Sequence, residues 1–188
     1  MPASLEIIIS MPYLQQISTA VILLLLGLAN AQPAQAQLRL TSPAMAFGAA
    51  IADGYACTGA DRSPPLAWSG APQSTKSFAL IVDDPDAPAG TFTHWVAYNI
   101  PAGVTSLPAG LPQTAEIAGG GTNGINSFEH IGYNGPCPPP GKMHHYHFHL
   151  FALDSTLTPG DQADAAAVQS AMRGHVVATA ELVGTFER

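Results

Sequence analysis

Two stretches of this chain are apolar almost without a break and then stop abruptly, Ser77 to Asp83 (SFALIVD) and Thr93 to Ile100 (THWVAYNI), and His144 to Leu153 (HHYHFHLFAL) is a third strand candidate. Runs of this length, rich in aromatic and β-branched side chains and ended by turn residues, have the pattern of strands buried on both faces. Pro85 and Pro101 close the first two, because proline cannot donate a ladder hydrogen bond. Leu38-Arg39-Leu40-Thr41-Ser42 alternates up to Pro43 and reads as a short strand. Leu66-Ala67-Trp68, entered through Ser63-Pro64-Pro65, reads as an edge or entry strand. Helical periodicity enters late, from a cap at Asp161 or Asp164 through Ala165, Val168, Ala171 and Met172 to Gly174. A second short helix over 176–182 and a terminal strand at 183–186 are expected to follow. The 18 Gly and 17 Pro exceed ordinary usage. They are dense in 101–141, whose length predicts a structured, functional loop region. The sum is a mainly β protein of antiparallel character, with helix near its C-terminus.

At 47% hydrophobic and 10% charged, 188 residues suffice for one domain with a real core. Six Lys+Arg against 13 Asp+Glu, with no basic run, exclude nucleic acid as a main partner, since phosphate backbones need clustered cations.

Residues 1–36 read as a signal peptide, leaving 37–188 as the domain. Ile17 to Leu28 is nearly all apolar, short for a hydrocarbon core of about 30 Å but suited to the apolar centre of a secretory signal. Ala34-Gln35-Ala36 supplies small residues for cleavage before Gln37. An uncleaved anchor is the competing reading, and the leading segment lacks Lys and Arg. The expected location is periplasmic or secreted. In that compartment Cys57 and Cys137 invite a disulfide, two buried free thiols being the alternative.

Polar residues gather at the strand ends. In an extended segment Asp84 and Asp86 point the same way, roughly 6.5 Å apart. With Asp83 they are expected to raise one another's pKa, so that one carboxyl holds a proton. His94 enters a buried strand. Gly135-Pro136-Cys137-Pro138-Pro139-Pro140-Gly141 forms a stiff lead into a strand whose period of two separates His144, Tyr146 and Phe148 from His145, His147 and His149. A His-x-His-x-His face is a legitimate metal candidate.

Together, Ser63-Pro64-Pro65-Leu66, Asp84-Pro85-Asp86-Ala87-Pro88, His94-Trp95, Gly135-Pro136-Cys137-Pro138-Pro139 and His144-His145-Tyr146 resemble the phosphatidylethanolamine-binding protein family, most of all its bacterial Raf-kinase-inhibitor-like branch. The resemblance spans about 38–188 and includes Gly174-His175-Val176 and Glu181-Leu182-Val183-Gly184-Thr185. It implies a large central antiparallel sheet, a smaller packed sheet and a C-terminal helical segment. It also implies a pocket for phosphate, acetate or a phospholipid head group, formed by Asp84, Asp86, His94, Gly135, Pro136, His144 and Tyr146. Within that likeness the metal reading recedes, and neither metal nor cofactor is expected. Thr58 stands where the family commonly has Asp.

The function expected is that of an exported, non-enzymatic binding protein for a small anion or phosphorylated head group, allowing peripheral contact with lipid. Phosphate oxygens would accept from protonated His94 or His144, from Tyr146 and from loop N–H groups. Two other readings stay open: a modulator of another protein, and a hydrolase using Asp84, Asp86 and His94. The hydrolase lacks a nucleophile in a Gly-x-Ser-x-Gly turn.

Overall fold

The computed structural model describes residues 37–188, so the expected signal peptide lies outside the described residues. The two apolar runs and the His-rich strand candidate are the centre of the fold: β3 (Ser77–Asp84), β4 (Phe92–Pro101) and β7 (His144–Leu153). With β6 (Thr122–Asn123) and β8 (Val176–Phe186) they form an antiparallel sheet in the order β6-β4-β3-β7-β8. A smaller sheet of β1 (Arg39–Thr41), β2 (Leu66–Ser69) and β5 (Ser106–Leu107) runs in the order β1-β2-β5. Both sheets are antiparallel throughout.

Both faces of the large sheet are covered at its centre, which is why β3 has no alternation to show. On one face Phe78, Leu80, Val82, Trp95, Phe148 and Leu150 share a core with Leu40, Leu66, Trp68 and Leu107 of the small sheet. On the other, Ala79, Ile81, Val96 and Tyr98 pack with Val168 and Met172. Val168 belongs to the helix α1 (Ala165–Ala171), whose cap is Asp164: its carboxylate accepts from the Ala167 amide at 2.8 Å.

Two expectations need correction. Residues 176–182 are not a helix but the first part of β8, paired with β7 from Leu153↔Val176 to His144↔Phe186. Ala, Glu and Leu in this stretch suit a helix, but β7 has a second edge to satisfy, and its ladder outweighs local propensity. In addition, β2 lies at the centre of its sheet rather than at an edge. Pro64 and Pro65 precede Leu66, so both hydrogen-bonding sides of the strand survive.

The 101–141 region is ordered by side chains as much as by backbone. Asn123 accepts from the Trp95 indole at 2.8 Å and donates to the Thr114 carbonyl at 2.8 Å. Cys57 and Cys137 are joined in a disulfide with Cα atoms 5.4 Å apart, so the free-thiol alternative falls. Beside it the Cys57 amide donates to the Pro136 carbonyl, and the Tyr133 hydroxyl to the Tyr55 carbonyl. The loop before β7 is thereby fastened to the segment after β1.

Candidate functional site

Antiparallel pairing brings the end of β3 together with the starts of β4 and β7, and Asp84, His94 and His144 meet there. They line a cavity of about 250 Å³ walled by Pro88, Phe92, Phe128, Pro138 and Pro139. All three are buried. Larger, more open grooves lie elsewhere, but here buried polar groups converge.

The Asp84 carboxylate is occupied on both oxygens. Oδ1 accepts from the Asp86 amide at 2.9 Å, and Oδ2 from Nδ1 of His144 at 2.7 Å. On His94, Nδ1 faces the Asn134 carbonyl at 2.8 Å. A carbonyl only accepts, so Nδ1 carries the proton and Nε2 is left for the cavity. Nδ1 of His144 is committed to Asp84 in the same way, which leaves its Nε2. The His94 ring touches Phe92, Phe128 and Tyr146, with centroids 5.2–5.6 Å away. Burial in this surrounding lowers its pKa below the usual imidazole value. Neutral His94 is thus the resting form, in contrast to the protonated donor expected from the sequence.

Tyr146 packs edge-on against His94 with its hydroxyl buried near the Asp84 carboxylate but in no well-formed hydrogen bond among the described residues. Burial first, and the Asp84 charge second, push its pKa up, so it remains an O–H donor.

Three expected site residues do other work. Asp86 does not run parallel to Asp84: its Oδ2 accepts from the amide and Nδ1 of His145, at 2.9 and 2.7 Å, on the exposed side of the turn. Those hydrogen bonds hold its carboxyl below the usual range, the reverse of mutual elevation among three carboxylates. The cause is the chain reversal at Pro85, which ends the two-residue alternation. Gly135 and Pro136 support the wall rather than line it. The Gly135 amide donates to Oδ1 of Asp61 at 2.6 Å, and a Cβ at Gly135 would overlap the Tyr55 carbonyl oxygen.

Phe92 and Phe128 were not anticipated. Phe128 sits on a loop held by buried Asn126, which donates to Gly132 and Asn134 and accepts from the amides of Phe128 and His130. An isolated aromatic among Gly, Asn and Ser (GTNGINSFEH) was the available signal.

A two-sheet β fold with a small, walled cavity at one sheet end is the architecture of a binding protein. The phosphatidylethanolamine-binding protein family model matches residues 41–187, and the chain belongs to that family. It is 50% identical over 137 residues to the UPF0098 protein PH1269 of Pyrococcus horikoshii, covering 71% of this chain and 69% of that one. It is 42% identical over 142 residues to the UPF0098 protein YbcL of Escherichia coli, covering 73% and 78%. The solved YbcL structure, described as a new member of the mammalian family, superposes with a TM-score of 0.74 at 36% identity, covering 81% of this chain and 99% of that one. The homologue CT736 of Chlamydia trachomatis gives a TM-score of 0.74 at 39% identity with the same coverage.

Proposed function

We propose that the cavity binds a small anion, the phosphate of a phosphomonoester or phospholipid head group, and that the protein is an exported, non-enzymatic binding protein. The observation that carries this reading is the meeting of two buried imidazoles in one small cavity, each with Nδ1 held by the protein so that Nε2 is unengaged: His94 on the Asn134 carbonyl and His144 on Asp84, with Tyr146 packed behind His94. Asp86 lies outside the cavity, and the charge of Asp84 is partly offset by the hydrogen bonds that its two oxygens accept from the Asp86 amide and His144. The unprotonated Nε2 of His94 accepts, so an anion that meets this ring must arrive with a proton of its own or cause the ring to take one up. A fully deprotonated anion therefore binds with proton uptake, whereas an anion that carries its own proton donates it to the ring. The Cys57–Cys137 disulfide supports an oxidising compartment, and with it export. No serine or free cysteine lines the cavity, which speaks against covalent hydrolysis.

The test is a calorimetric titration with inorganic phosphate, phosphoethanolamine and a short-chain phosphatidylethanolamine, run in buffers of different ionisation enthalpy. Saturable binding with buffer-dependent heat, weakened by about 1.5–3 kcal/mol in His144→Ala, is the expected result. Equal binding by the parent protein, His94→Ala and His144→Ala would place the ligand elsewhere.

A further inference from the structure

The outer face of β7 divides between two partners. His145 turns to Asp86, whereas His147 and His149 both turn their Nδ1 atoms to one oxygen of Glu181 on β8, at 2.8 and 3.5 Å. Ligand atoms from His147, His149 and Glu181 all lie within 4.8 Å of one another. The two imidazoles stand nearly parallel, 17° apart with centroids 5.7 Å apart. Tetrahedral zinc with bonds of about 2.1 Å needs its ligand atoms about 3.4 Å apart, so the two Nδ1–oxygen distances bracket the required spacing.

From this arrangement we infer that His147, His149 and Glu181 form a binding site for a divalent transition metal of the zinc class, away from the cavity at the sheet end. Two imidazoles and a carboxylate favour zinc, copper or nickel over magnesium or calcium, which prefer oxygen alone. An independent feature supports the assignment. Oδ1 of Asp83 lies 3.6 Å from Nε2 of His149, on the far side of the ring from Glu181. At this ion-pair distance the carboxylate is placed to close to a hydrogen bond behind the histidine, which on metal binding would fix the ring and the tautomer and leave the lone pair on the metal-facing nitrogen. His149 and Glu181 also border a groove of about 530 Å³ that carries Arg39 on its other wall. Three protein ligands leave at least one coordination position free, and the groove gives water or a small anionic ligand a route to it. Period two alone offered His145, His147 and His149. Cross-strand pairing substitutes Glu181 for the first of them.

The test is calorimetric titration of Zn²⁺ into the purified, untagged protein, with circular dichroism confirming the fold of each variant. One Zn²⁺ per chain is expected, with affinity reduced beyond roughly 100-fold in His147→Ala and His149→Ala. Asp83→Asn is expected to lose about tenfold, and His145→Ala to bind as the parent does. No saturable Zn²⁺ binding at micromolar concentrations, or a single site that survives in the His147→Ala/His149→Ala double variant, would overturn the assignment.

Discussion

Nδ1 of His144 lies 2.7 Å from Oδ2 of Asp84, and the two side chains are only 2% and 4% exposed. A pair this buried is tied to the fold as well as to the cavity. Removing one partner leaves the other buried without its hydrogen bond, which costs about 1–3 kcal/mol. Asp84→Ala should therefore lower the unfolding free energy by about 1–3 kcal/mol in urea titrations. The Asp84→Leu/His144→Leu double variant should lose less than the two single changes added together.

The pKa of His94, lowered mainly by burial, sets a pH window for stability. In the unfolded chain His94 protonates near its reference value of about 6.5, while in the folded chain it resists until lower pH. Between those values the unfolded state binds more protons, so the His94 contribution to stability is lost as pH falls from about 6.5 toward the depressed folded value. Urea midpoints of the parent and His94→Asn should converge on acidification through this window. A constant difference from pH 8 to pH 4.5 would contradict the assignment.

Anion affinity should follow the same displaced titration. A sulfate probe, which does not itself titrate here, should bind more tightly as pH falls past 6.5, with no plateau at the reference imidazole value. Intrinsic fluorescence titrations at several pH values measure this directly.

Tyr146 separates stability from binding. Its buried hydroxyl is in no well-formed hydrogen bond among the described residues, and a buried unsatisfied polar group costs about 1–3 kcal/mol. Tyr146→Phe should raise the unfolding free energy of the ligand-free protein by about 1 kcal/mol while weakening phosphate binding. A variant that is destabilised and binds normally would show the hydroxyl to be structural.

The disulfide closes a loop with a sequence separation of 80, for which the chain-entropy model gives about 4 kcal/mol. The Cys57→Ser/Cys137→Ser variant should lose stability of that order in urea. Because Cys137 lines the cavity wall, its phosphate affinity should fall as well.

What the sequence determined by itself was the material of the fold. Near-continuous apolar runs ended by proline identified β3 and β4, because strands covered on both faces leave few polar positions to interrupt them, and the alternation of His with aromatic and aliphatic residues identified β7. The strand-end motifs marked Asp84, His94 and His144 as unexpected polar residues, and the family resemblance they carry proposed them, with Tyr146, for one pocket. Pairing was decided only in three dimensions. Residues 176–182 became a strand rather than a helix because β7 presented a free edge, a demand that lies upstream in the chain and leaves no local mark. Asp86 left the cavity for His145 because the chain turns at Pro85, and His147 and His149 found Glu181 across a strand boundary. Periodicity reports which face a side chain occupies on its own strand. Which carboxylate meets which imidazole depends on register between strands, and that is fixed by the packing of the whole sheet.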